Sequence, residues 1–298
     1  MSGEKSFESA ELADVISRTA DYLRDQGIDA YAMKESEVIS SFDKEKAGTS
    51  LIVTDSGDIS DRLLDLGFYV VGHRNSFSEN EQFDRAKYVF CDIEDIDVDS
   101  FVKVYQRYAG EPWEILRTDR LLVRETTLED VDIFYRLYED PSMTRFMEGL
   151  FEDPEDEKRY QRDYIEKVYG LMGFGVWTLE RLEDGAVIGR AGYSVRNGFD
   201  EAELGFLVGK EYQRQGYAFE ACRAILDYGR DILGFDKVQT LVKEGNSVSI
   251  HMCQRLGFET EEVVEVEENI YGKTYREGQK VALSQVTYGK YVRMIRIF

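Results

Sequence analysis

Between an apolar stretch at 204–208 and an amphipathic one at 219–228, the chain reads Gln213-Arg214-Gln215-Gly216-Tyr217-Ala218. A strand that ends in a basic, glycine-containing turn and runs straight into a helix leaves the fold few choices. The turn must be tight, and Gly216 supplies the backbone freedom for it. The first N–H groups of the helix have no partner within it, and the helix dipole adds partial positive charge there. Such a corner takes anions, and Arg214 can add a charge-assisted donor. The helix behind carries Ala218, Ala221, Cys222, Ile225 and Leu226 on one face, so packing holds the corner in place.

The flanking pattern divides the chain. Spacing predicts a helix over 8–26, a polar and weakly patterned stretch over 31–50, then strand 51–54, helix 56–66 and strand 68–71. A loop at 76–82, a strand at 87–91 and a helix at 98–108 follow. This order implies a small α/β layer with parallel strands. Gly110-Glu111-Pro112 is the boundary, giving a first domain over 1–112 and a second over 113–298. Beyond it come strand 120–124, a helix that Thr127 can cap, and a helix over 155–169. Strands 174–180 and 187–193 join across Glu183-Asp184-Gly185, a hairpin signal. Then come strand 203–208, the turn, helix 217–229, strand 238–242, helix 247–256 and strands 263–268 and 288–297, with a loop at 269–287. The second domain is therefore a mostly antiparallel α+β sheet flanked by helices.

Charge and cysteine usage narrow the function classes. The chain has 298 residues and a formal net charge of −22. The acidity is spread, with 12 basic against 23 acidic side chains in 1–110 and 25 against 36 in the rest. Nucleic acid is excluded as a partner, because it needs basic clusters. A basic acceptor such as an amine is attracted, although a solvated acidic surface explains the charge equally well. Cys91, Cys222 and Cys253 are unpaired by spacing and form no metal-binding pattern, which fits a cytoplasmic protein without a metal site. No apolar run is long enough for a membrane span.

Two further motifs accompany the turn. Asn246-Ser247-Val248-Ser249 opens a helix that closes at Arg255-Leu256-Gly257-Phe258. Arg117 to Arg124, Val187-Ile188-Gly189-Arg190-Ala191-Gly192 and Glu203-Leu204-Gly205-Phe206 precede the turn in order. Together these residues resemble the GCN5-related N-acetyltransferase (GNAT) superfamily over 113–298, in its ribosomal-protein N-acetyltransferase branch. The resemblance implies an acetyl-CoA co-substrate in a V-shaped gap between strands 203–208 and 238–242. Backbone of Phe206, Leu207 and Val208 would pair with the pantetheine arm. Backbone of Gln213, Arg214, Gln215, Gly216, Tyr217 and Ala218 would cradle the pyrophosphate, and Asn246 would bond the pantetheine chain. An acceptor amine, of a small molecule or a protein N-terminus, would attack the thioester directly. A strand N–H near Leu207 or Val208 would meet the oxyanion.

The amine must lose a proton. Glu203, on the face of Gly205 and Leu207, is the candidate base, with Glu201 in reserve and a solvated strand-end carboxylate as the competing reading. Many superfamily members carry a Tyr at the position of Cys253; a buried structural thiol is expected there instead. Ser249 is left to donate to the leaving thiolate, or simply to bond its own helix. His251 is expected at the surface. Phe134, Tyr135, Tyr138, Phe146 and Phe151, with Glu148, Glu152 and Asp153, are the candidate acceptor wall.

In the first domain, Leu51-Ile52-Val53-Thr54-Asp55-Ser56 and Leu66 to Gly72 are similar to the middle of a haloacid dehalogenase-like phosphatase. Thr54 or Ser56 would there touch phosphate. No strand with a nucleophilic Asp precedes residue 51, so a non-catalytic Rossmann-like layer is expected. Binding of a regulator, packing, and homodimer formation remain open as its role. The rival to an active transferase is a coenzyme A-binding sensor without catalysis.

Overall fold

The structure is a computed structural model that describes residues 4–33, 46–76, 78–280 and 286–298. The chain divides into two compact units, Met1–Glu111 and Pro112–Phe298.

In the first unit, α1 (Glu4–Asp25) precedes a three-stranded sheet. Its strands β1 (Leu51–Thr54), β2 (Tyr69–Arg74) and β3 (Tyr88–Cys91) pair in parallel in that order. Between β1 and β2 runs α2 (Gly57–Asp65), capped by Ser56 and burying Ile59 and Leu63 against Phe68 and Val70. α3 (Val98–Ala109) is capped by Asp97 and ends at Gly110, whose φ of 72° stops the helix. Most of the weakly patterned stretch 31–50 lies outside the described residues. At the residues where the phosphatase resemblance would put phosphate, the hydroxyls of Thr54 and Ser56 both accept local backbone bonds, Ser56 Oγ from the Ile59 N–H. The Gly57 N–H donates to Glu81 Oε2 at 2.7 Å, and Ser56 N–H donates to Thr54 Oγ1.

The second unit is one eight-stranded sheet. Its strands are β4 (Glu114–Arg117), β5 (Leu121–Arg124), β6 (Val176–Arg181), β7 (Ala186–Ser194), β8 (Glu203–Val208), β9 (Lys237–Lys243), β10 (Glu259–Glu268) and β11 (Thr287–Ile297). They lie in the order β10-β11-β9-β8-β7-β6-β5-β4. Every neighbouring pair is antiparallel except β8 and β9.

Helices cover both faces. α4 (Asp130–Tyr138) packs Phe134 and Leu137 against Val187 on one face. α5 (Pro154–Asp163) continues through a wide π-helical turn, Tyr164–Tyr169, that buries Tyr169. On the other face, α6 (Tyr217–Asp231) and α7 (Ser247–Arg255) bury Ala221, Cys222, Ile225, Leu226 and Cys253 against Ile188, Ala191, Tyr193, Val238 and Val242. Each fully buried aliphatic side chain there contributes about 1.5–3 kcal/mol.

Two details differ from the sequence reading. β4 is a strand in a stretch that carries no strand signal in the sequence. Thr127 does not cap α4; the Asp130 carboxylate instead reaches back to accept from the Thr127 N–H at 2.9 Å. A buried Asp at the first turn, already paired with Arg124, makes the stronger acceptor.

Candidate functional site

The parallel strands β8 and β9 meet at one residue pair, Glu203 and Gln239. Beyond it toward their carboxyl ends they part, while β8 stays paired with β7 along Glu203 to Val208. Gln239 N–H donates to Ala202 O, and Thr240 Oγ1 to Leu204 O, at 2.9 Å each. These bonds close the narrow end. The wide end lies where ligands of open α/β sheets bind, beyond the carboxyl ends of parallel strands.

Alternation along β8 decides which backbone groups face the gap. Gly209 N–H donates to Ile188 O, so Gly209, Leu207, Gly205 and Glu203 turn their main chain toward β7. Leu204, Phe206 and Val208 turn theirs toward β9. The Val208 carbonyl already accepts from Gln213 Nε2 at 3.0 Å. Phe206, with the Val208 N–H, therefore presents main chain to the gap, and Leu207 does not. Of the N–H groups of Leu207 and Val208, that of Val208 is the one directed to the gap.

The turn closes the wide end. A short 3-10 segment, Lys210–Tyr212, leads from β8 into it. Arg214 and Gly216 both adopt left-handed backbone, with φ of 61° and 85°, and that pair of reversals aims the main chain inward. Gly216 is the N-cap of α6, with no side-chain cap bond at the helix start. Arg120 locks the corner from below: it pairs with Glu220 at 2.5 Å, donates to Gln215 O at 3.0 Å and lies over the Tyr217 ring. Gln213, Arg214, Gln215 and Gly216 are exposed, and Tyr217 is buried.

A cavity of about 2290 Å³ runs from this turn along the gap to the space under α4 and α5. It exceeds the roughly 300–1,000 Å³ usual for one small ligand. Phe206, Leu207, Val208, Gln213, Arg214, Gly216, Tyr217, Ala218, Asn246, Ser249 and Glu203 all line it. Gln215 does not; its carbonyl faces Arg120. Asn246 caps α7, accepting from the Ser249 N–H at 3.3 Å. Cys253 is fully buried, and burial pushes its thiol up to about 11. His251 is exposed.

Glu203 is 7% exposed and paired with Arg196. Arg196 Nε sits 2.6 Å from Oε2, and the contact to Oε1 is longer, 3.4 Å. Glu201, the reserve candidate, is outside the cavity lining. Lys237 and Arg293 hold it at 2.5 and 2.9 Å; the hydrogen bond from Lys237, more than Arg293, keeps its carboxyl below the usual range. Of the expected acceptor wall, Tyr138, Phe146, Phe151, Glu148 and Glu152 line the cavity. Phe134 is core, Tyr135 bonds the Phe151 carbonyl, and Asp153 caps α5.

Several lining residues escaped the sequence reading. Arg196 carries no sequence signal because its pairing with Glu203 is set by the loop after β7. Tyr291 and Lys243 converge on Glu268, at 2.6 and 2.8 Å, from three strands far apart in sequence. Tyr271 and Tyr275, in the turns after β10, pack on Tyr160 of α5, and the Tyr275 hydroxyl donates to Asp163 at 2.7 Å. Strand alternation is the one sequence signal that puts Tyr291 and Lys243 on a common face.

No group of three or more His, Cys, Asp or Glu among the described residues is placed to hold a metal. No helix among them is long and apolar enough to cross a membrane.

Comparison with known proteins accords with this geometry. Residues 120–259 match the family described as acetyltransferase (GNAT) domain, and the chain belongs to that family of N-acetyltransferases. An uncharacterized N-acetyltransferase, p20, of Bacillus licheniformis is 29% identical over 166 residues, 54% of this chain and 90% of that protein. The protein YkkB of Bacillus subtilis (strain 168) is 30% identical over 176 residues, 55% of this chain and 90% of its own length. Spermidine N(1)-acetyltransferase of Escherichia coli (strain K12) is 32% identical over 87 residues, 29% of this chain and 46% of that enzyme.

Proposed function

We propose that the second unit transfers an acetyl group from acetyl-CoA directly to a primary amine, of a small molecule or a protein N-terminus. The observation that carries this reading is the single β8–β9 pair, with a gap beyond it that opens onto the left-handed turn. An extended chain laid in the gap would find the Phe206 main chain as a strand partner, and a pyrophosphate would find the N–H groups of the turn and of α6. Asn246, through the part of its amide not used in capping, is assigned to the same chain.

Acetyl-CoA supplies an activated thioester carbonyl. The amine nitrogen forms the new C–N bond and the C–S bond breaks. The amine's proton goes to Glu203, whose Oε1 is the less tightly held oxygen; Ser249 is assigned to hydrogen-bond the leaving thiolate, which takes its proton from solvent as Glu203 returns its own there. The Val208 N–H is the assigned oxyanion donor. The relatedness to a spermidine acetyltransferase supports an amine acceptor.

Gly216→Glu tests the cofactor site. A Cβ there has Arg120 3.4 Å away and a strained positive φ, and the new carboxylate would face the pyrophosphate. Acetyl-CoA binding by calorimetry is expected to vanish in this variant and to survive, weakened, in Gly216→Ala. Unchanged binding in Gly216→Glu would refute the assignment.

A further inference from the structure

The cavity floor is bare for one step on the sheet face that carries Glu203. Gly205 of β8 lines the cavity, and a Cβ built there would meet nothing within 4 Å; its neighbour Gly192 of β7 lies opposite but is shut off, since a Cβ there would run into the Gly175 carbonyl. Alternation places Glu203 at one end of this step and Arg190, opposite Leu207, at the other. Each end is about 7 Å along the strand from the glycines.

Arg190 differs from other arginines of the sheet. Arg124 pairs with Asp130 and Glu180, Arg196 with Glu203, and Arg293 with Glu201 and Glu262. Arg190 has no such carboxylate among the described residues. Its guanidinium lies 4.5 Å over the Phe134 ring, beside the Tyr138 hydroxyl, and reaches Gln161 Oε1 only at 3.5 Å. Its Nε is buried and makes no hydrogen bond. The neighbouring carboxylate, Glu157, is engaged by Gln161 Nε2 at 2.9 Å and by the Phe151 N–H at 3.2 Å. A buried cation with neutral partners and an idle donor is costly to the fold, and its fork suits a carboxylate.

We propose that Arg190 receives a carboxylate of the acceptor. The molecule acetylated is then an amine that also carries an acid group, an amino acid or short peptide. It lies over Gly205 with its amine toward Glu203. The proposal rests on the acetyl-transfer reading above. In a chain of net charge −22, an anionic group is accepted only where a local cation outweighs the general field. A polyamine would set a second cation against Arg190.

The test follows acetyl transfer by thiol release for free dipeptides, the same dipeptides as C-terminal amides, and spermidine. The acids are expected to exceed the amides by at least about tenfold in kcat/KM, mostly through KM. Arg190→Gln should erase that preference without changing acetyl-CoA affinity by calorimetry. Arg190→Lys, which keeps the charge and guards against a folding artefact, should retain part of it. Amides or spermidine served as well as acids, or a preference that survives in Arg190→Gln, would overturn the proposal. If no acid is acetylated while acetyl-CoA binds, this inference falls and the cofactor reading stands. If acetyl-CoA itself does not bind, both fall.

Discussion

Glu203 is at once the carboxylate at the apex of the gap and half of an ion pair. Arg196 fixes its orientation through Oε2 and leaves Oε1 facing fewer demands. A residue that receives a proton can be separated from one that merely holds a strand end. Glu203→Gln keeps the shape and one acceptor oxygen but cannot take a proton at neutral pH. Turnover should fall about 10²–10⁴-fold, with acetyl-CoA affinity intact and a shifted pH–rate profile. A wild-type rate at every pH would remove Glu203 from the chemistry. The sequence placed Glu203 on the right face because strands alternate every second residue. It could not supply Arg196, whose pairing depends on how the loop after β7 folds back. Cys253 was legible for a similar reason, since an apolar helix face predicts burial without knowing the neighbours.

At the scale of elements, the corner between β5 and α4 shows a side chain taking over a capping task. Arg124 holds Asp130 through two bonds, of 2.7 and 2.8 Å. Thr178 and the Thr127 N–H complete the carboxylate's shell. Burial pushes the Asp130 carboxyl up, but these bonds outweigh it and hold it below its usual value of 3.8. A lowered folded value means stabilisation that is present above the unfolded value and lost as pH falls through the folded one. Unfolding midpoints should therefore drop on acidification below about pH 4. Asp130→Asn should cost about 3 kcal/mol at neutral pH and flatten that acid dependence, both readable by denaturant titration. Long periodic elements such as β8 and α6 were legible because packing and propensity agree in them. The edge strand β4 was not, because its residues Glu114 and Arg117 are exposed and carry no alternation. The turns after β10 have polar sequence; what they cover is decided by Tyr271 and Tyr275 finding α5 from more than a hundred residues away.

The whole molecule is two compact units, each with its own core. Calorimetry should resolve two unfolding transitions. Acetyl-CoA at about 100 times its Kd should stabilise one of them by about 2.7 kcal/mol, an upward shift of about 5–10 °C for a unit of this size. A single transition, or a ligand shift in both, would show that the units unfold as one. Composition set the acidic character of both units but said nothing of which charges face the cavity. Ion pairs hold Glu152, Asp163 and Glu203 of the cavity wall, while Arg190 faces it with no salt bridge among the described residues. The sole bridge between Glu203 and Gln239 has a mechanical meaning as well. The eight strands are in effect two panels joined at a pin, β4 to β8 on one side and β9 to β11 on the other. Helices α6 and α7 brace the joint from one face, and a molecule lying along Phe206 would act as the missing slat, turning two panels into one board for as long as it stays.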